Sequence, residues 1–184
     1  HESPLIAMVK AGNRDRDELL LHSGGPLTDL SQNSMLPALD SIRFLFFEPH
    51  GEDRPEGSPL QGEVCLGSPP PLNLVRQRLV DGRWQTEEEY NPSTLEQALS
   101  IVAEQEIAAQ VSENYPITPG GFAGLLGYDL GRWSNVIRLS NTPQPGILLG
   151  VLWRCDAWWI HEREREQLRL LALEGHDWLN QELP

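Results

Sequence analysis

The apolar residues of this chain fall in short runs, each ended by glycine or proline, and that punctuation limits what it can fold into. Ile42–Phe47 (IRFLFF) is a compact β-favouring run that stops at Glu48-Pro49, where proline has no N–H to continue a ladder. Leu72–Val80 and Arg83–Thr86 flank Asp81-Gly82, a dipeptide suited to the positive φ angles of a two-residue hairpin. Ile147–Trp153, Ala157–His161 and Gln167–Leu173 read as three further strands, with Glu162–Glu166 (ERERE) as the turn between the last two. Leu19–Leu21 reads as a short buried strand broken by Gly24-Gly25. Only Pro92–Ala109 spaces its apolar side chains (Leu95, Ala98, Leu99, Val102, Ile107, Ala108) as a long helix, with Asn91 or Ser93 to cap it. Ser3–Ala11 predicts a shorter helix closed by Gly12, and Gly175–Leu183 reads as the start of another. Residues 13–18 read as a turn, a polar stretch runs on to Asp40, and 50–71 read as an exposed loop in which only Glu63–Leu66 could pair as a strand. Many short strands with few helices and no fixed repeat predict an α+β fold, mainly antiparallel sheet with a few flanking helices.

Length and composition narrow the class. At 184 residues the chain can bury about two thirds of its unfolded surface, enough for one loop-rich domain with a real core and no staple. With 14 Lys+Arg against 27 Asp+Glu the formal charge is −13, which argues against nucleic acid as a partner. Cys65 and Cys155 stand far apart without a CxxC or a histidine run, so neither structural zinc nor a disulfide framework is supported. No apolar stretch approaches the roughly 20 residues of a membrane span, and no signal segment opens the chain; no membrane partner and a cytoplasmic location are expected. His1, with no preceding methionine, reads as the remnant of trimming and is set aside.

Five groups of residues invite a functional reading. The glycines at 120, 121, 124, 127 and 131 fit no phosphate cradle: Tyr128 follows Gly127 where a P-loop needs lysine, and no two of them stand two apart. Close approach of a strand to another backbone, or a kink, is the expected role. His22 and Ser23 point to opposite faces of an extended segment, so the imidazole is badly placed to activate the hydroxyl. Either Ser23 and the Gly24 and Gly25 amides form a small polar pocket, or they cap a turn. His161 with Glu162, Glu164 and Glu166 could suggest a metal cluster, but the alternating charges read better as a solvated hairpin tip. Trp153, Trp158 and Trp159 read as packing, and Asp129 as a helix cap paired with Arg132 three residues on.

The run Gly124-Leu-Leu-Gly-Tyr-Asp-Leu-Gly-Arg132, inside GGFAGLLGYDLGRW, resembles the N-terminal region of the chorismate-utilising enzymes of the anthranilate synthase component I family, and looks most like the branch that forms aminodeoxychorismate for para-aminobenzoate and folate. Other landmarks follow in order: Leu20-Leu21-His22-Ser23-Gly24 is similar to the family's Leu-Leu-x-Ser element. Phe47-Glu48-Pro49, the helix from Pro92 to Val102 and the tryptophan-rich strands at 147–161 come after it. The resemblance spans nearly the whole chain and marks Gly127, Tyr128, Asp129 and Arg132 as its structural motif.

The resemblance implies that residues 1–184 are an N-terminal region without catalytic or metal-binding residues of its own. The family's Pro-Ile-(Ala/Lys)-Gly-Thr element is missing, and Lys10, the sole lysine, cannot replace a catalytic lysine. Chemistry would belong to a C-terminal chorismate-binding domain, a partner to this region, that holds magnesium and replaces the C4 hydroxyl of chorismate with ammonia supplied by a glutamine amidotransferase subunit. The resemblance also implies a tryptophan site that includes Ser23, with Leu21 and His22 beside it. Many relatives carry Arg-(Tyr/Phe)-Asp where this chain reads Asp40-Ser41-Ile42-Arg43. Two other roles remain open: the tryptophan-binding regulatory region of an anthranilate synthase, in which Glu usually stands where His22 does here, and a stand-alone module for an amino acid or the glutaminase.

Overall fold

The computed structural model describes residues 3–11, 17–23, 32–49, 69–110, 117–134 and 144–180. Gly12, Gly24, Gly25 and the expected strand Glu63–Leu66 lie outside them. Among the described residues the elements run α1 (Pro4–Ala11), β1 (Asn33–Pro37), β2 (Ile42–Phe47), β3 (Asn73–Val80), β4 (Arg83–Tyr90), α2 (Leu95–Ala103), β5 (Gly121–Leu126), a 3-10 helix (Tyr128–Ser134), β6 (Leu148–Cys155), β7 (Ala157–Glu162), β8 (Gln167–Ala172) and a last 3-10 turn (Asp177–Asn180). One sheet has the order β1-β7-β8 and the other β4-β3-β2-β6-β5. The fold is therefore α+β and mainly antiparallel sheet. No helix among the described residues is long and apolar enough to cross a membrane.

Contacts divide the chain into two compact units. One comprises Ile42–Glu106 and Gly124–Trp153. In it, alternation puts Ile42, Phe44 and Phe46 on one buried face of β2, while Leu45 on the other face joins Val75 and Val151 with Phe47 and Trp153 packed against them. The β3–β4 hairpin turns at Asp81 and Gly82, both at positive φ (50° and 75°), as the Asp-Gly dipeptide requires. β4 runs on to Tyr90 through three glutamates, past the expected end at Thr86. Arg76 and Arg78 on β3 make this tolerable: Arg78 Nε donates to Glu87 at 2.6 Å and Arg76 reaches Glu87 and Glu88. The Arg78 hydrogen bond, chiefly, holds the Glu87 carboxyl below its ordinary range.

The helix expected over Pro92–Ala109 is shorter, and its cap lies elsewhere. Thr94, not Asn91 or Ser93, is the N-cap, its Oγ1 accepting from the Gln97 amide at 3.1 Å while Gln97 Oε1 accepts from the Ser93 amide at 2.9 Å. The helix ends at Ala103 with Glu104 as its C-cap.

The other unit comprises His1–Ser41, Ile107–Ala123 and Arg154–Pro184. Here the Ile107 amide donates to the Gly120 carbonyl at 3.1 Å, a partner that draws this residue out of helical register. β7 forms the centre of the three-stranded sheet, with Ala157, Trp158, Trp159 and Ile160 all buried. The strand expected at Leu19–Leu21 reduces to one bridge between Leu21 and Met35, and Leu21 is 38% exposed. Asn33–Pro37, which the sequence reads as polar connection, is a strand instead. It sits at the sheet edge, with Pro37 as its last residue, where a missing N–H costs no ladder bond. The helix start expected at Gly175–Leu183 is a single 3-10 turn, Asp177–Asn180, with Trp178 stacked 6.3 Å from Trp159. Its Leu183 end lies outside the described residues.

Candidate functional site

The glycine-studded run builds a strand, a tight turn and a 3-10 helix. A Cβ on Gly124 would collide with the Val151 carbonyl oxygen, and one on Gly127 would stand 2.6 Å from the Leu149 carbonyl oxygen, so only glycine lets this segment lie so close to β6. The Gly127 amide donates to Leu149 O at 2.8 Å and its carbonyl accepts from Leu130 at 3.1 Å, which starts the 3-10 helix. Of the two roles expected of these glycines, close backbone approach and a kink, the structure shows the first.

That helix delivers Arg132 to a partner other than the one expected. Its Nη1 donates to both carboxylate oxygens of Glu48, at 3.0 and 2.9 Å, and not to Asp129, which sits half-buried in the helix's first turn. Residues three apart eclipse on a 3-10 turn, so spacing does not separate the two; Arg132 is instead directed inward while Asp129 stays only half-buried. Side-chain exposure is 6% for Arg132 and 0% for Glu48, so the two charges satisfy each other out of water. The guanidinium also lies 4.9 Å from the Trp133 ring centre, and Trp133 Nε1 donates to Pro70 O at 2.8 Å. Glu48 holds further chain through its backbone, its amide donating to Ile147 O and its carbonyl accepting from Gly146. Above this anchor Tyr128 is 74% exposed beside exposed Leu125, Leu126, Ile147 and Leu148.

Leu21, His22 and Ser23 lie in the other unit, along β1. The Ser23 hydroxyl donates to Asn33 O at 2.6 Å, and the Ser23 amide donates to Ser34 Oγ at 3.1 Å. His22 Nδ1 lies 3.2 Å from the same Ser34 Oγ. His22 therefore does not touch Ser23, in keeping with their opposite directions, and the Ser23 proton is already committed to a backbone carbonyl. His161 turns to Ser3, its Nδ1 lying 3.0 Å from Ser3 Oγ, and not to the glutamates of the hairpin tip. Burial, first, pushes its ring below the ordinary imidazole pKa. At the tip Glu162 pairs with Arg169 at 3.1 Å and Arg165 at 3.6 Å. Among the described residues no three His, Cys, Asp or Glu side chains converge as metal ligands.

Trp158 and Trp159 are buried and Trp153 half-buried, as packing residues. Cys155 is a buried free thiol whose pKa is pushed up to about 12, chiefly by burial, and so is unreactive at neutral pH. Cys65 lies outside the described residues. The sequence alone assigned no side-chain role to Glu48, Ser3 or Ser34. Glu48 had one visible signal, an acid between an apolar strand and a proline, but nothing local announces the two serines.

The fold defines the class: an α+β protein of two antiparallel sheets, whose conspicuous polar features among the described residues are the buried Glu48–Arg132 pair and the two serine–histidine contacts. Comparison with family models, curated proteins and solved structures returns no match.

Proposed function

We propose that this chain is the N-terminal region of a chorismate-utilising enzyme of the anthranilate synthase component I family, and within it of aminodeoxychorismate synthase component I. One observation carries the reading. Two separate landmarks of the resemblance, Phe47-Glu48-Pro49 and Gly127-Tyr-Asp-Leu-Gly-Arg132, meet through the buried Glu48–Arg132 pair. A motif arginine that exists to reach a motif glutamate accounts for both elements being in the chain.

In this reading the region is a scaffold. The parent enzyme is a transferase that exchanges the C4 hydroxyl of chorismate for ammonia from a glutamine amidotransferase subunit, in the cytoplasm. Magnesium and the reacting groups belong to a chorismate-binding domain beyond these residues. Among the described residues no three acids or histidines converge as metal ligands, so the residues present do not fit that metal and no reaction step is assigned to them.

The purified chain, supplied with chorismate, ammonia and magnesium, is expected to give no turnover. Brisk formation of aminodeoxychorismate by these residues alone would overturn the placement of the chemistry. A reading frame that continues into a Pro-Ile-x-Gly-Thr element is the supporting genetic observation, and one that stops at Pro184 would sink the reading.

A second reading, an amino-acid-binding regulatory module, is favoured by the exposure of Leu21 and His22 beside Ser23. Calorimetric titration with tryptophan tests it: heat that is lost in Ser23→Ala supports it, and a silent titration removes it.

A further inference from the structure

The register of β1 against β7 sets Ser34 directly opposite His161. Each then meets a flanking segment through a hydroxyl–imidazole contact. Ser34 Oγ accepts the Ser23 amide and lies 3.2 Å from His22 Nδ1, and His161 Nδ1 lies 3.0 Å from Ser3 Oγ where α1 begins. Ser34 is 0% and Ser3 5% exposed, so neither hydroxyl can turn to bulk water.

A hydroxyl has one proton to place. Ser3 is satisfied when it donates to an unprotonated Nδ1 of His161. A charged imidazole carries N–H on both nitrogens, so protonation turns that acceptor into a donor and strands the buried O–H.

We propose that the Ser3–His161 pair is an acid-released clasp, which holds the start of α1 on the three-stranded sheet at neutral pH and frees it in acid. The surroundings agree. Burial disfavours a charge on His161, Arg163 and His22 act in the same direction, and Glu166 alone among its described neighbours acts against them. Asn33 and Ser34 from β1, Leu168 from β8 and Ser3 just ahead of α1 are uncharged, Glu162 is paired with Arg165 and Arg169, and Lys10 stands at the far end of α1. Because the folded state favours the neutral ring, the stabilisation is complete above pH of about 6.5 and is lost as the pH falls below it. The clasp stands whether or not an amino acid binds at Leu21–Ser23.

Hydrogen exchange of the purified chain, read by mass spectrometry at pH 7.5 and 5.5 and corrected for the intrinsic rate, tests it. Protection of residues 3–11 is expected to fall about tenfold at the lower pH while β2 and β3 keep theirs. In His161→Asn the amide oxygen stands near the place of Nδ1 and accepts without titrating, so protection is expected to be equal at both pH values. Equal protection in the wild-type chain, a parallel loss in β2 and β3, or the same acid step in His161→Asn overturns the proposal. If the variant does not fold, the wild-type comparison decides alone.

Discussion

Arg132 Nη1 stands 3.0 and 2.9 Å from the two carboxylate oxygens of Glu48, across 84 residues of chain and out of reach of solvent. The pair ties the end of β2 to the 3-10 helix that follows β5. Removing either member alone takes a counter-ion away from a buried charge. Arg132→Met and Glu48→Ala are each expected to lower stability by about 3–5 kcal/mol in urea denaturation, and the double variant Glu48→Gln/Arg132→Met by clearly less than their sum. Single-variant losses under about 1 kcal/mol would mean that the pair does not organise this end of the unit.

Gly124 and Gly82 separate two reasons for glycine. Gly82 is at φ 75° with open space around its missing Cβ, so Gly82→Ala meets only the left-handed penalty of about 1–2 kcal/mol. Gly124→Ala drives a methyl group into the Val151 carbonyl, a backbone atom that cannot swing aside. Thermal denaturation is expected to show the larger loss for Gly124→Ala; the reverse order would show that β5 moves away from β6 at little cost.

Thr94 carries the cap of α2. Thr94→Ala is expected to cost about 1 kcal/mol by chemical denaturation, and Asn91→Ala less than half of that. An equal cost at Asn91 would place the cap wrongly.

Cys155 is buried, with its thiol pushed up to about 12. In a Cys65→Ser background it is expected to resist a thiol reagent at pH 8 until denaturant is added, and rapid labelling of the folded chain would contradict its burial. The unfolded thiol ionises near its ordinary value of 9.0 while the folded one stays protonated, so this group's contribution to stability is present below pH 9 and declines above it.

The strands were legible where local chemistry is unambiguous. Ile42–Phe47 is a β-favouring run between breakers, and it forms over those residues. Asp81-Gly82 names its own turn. Thr94-Leu-Glu-Gln97 also had the form of a capping box, a signal passed over in favour of polar residues nearer Pro92. Asn33–Pro37 had no signal of its own, because an edge strand takes its pairing from β7 and need not display alternation. Helical spacing in Ile107 and Ala108 was real but yielded to the bond between the Ile107 amide and Gly120.

By itself the sequence determined the short-strand, helix-poor character of this protein and therefore its α+β class, because periodicity and turn chemistry act within a few residues. For the glycines at 124 and 127 it left close backbone approach or a kink, and the structure decides for close approach. Only the tertiary structure decided that Arg132 meets Glu48 in place of Asp129, and that Ser34 faces His161. These partners lie far apart in the chain. Which of several plausible acids or hydroxyls a side chain reaches depends on strand register and on where water is excluded, and both exist only after the sheets have formed.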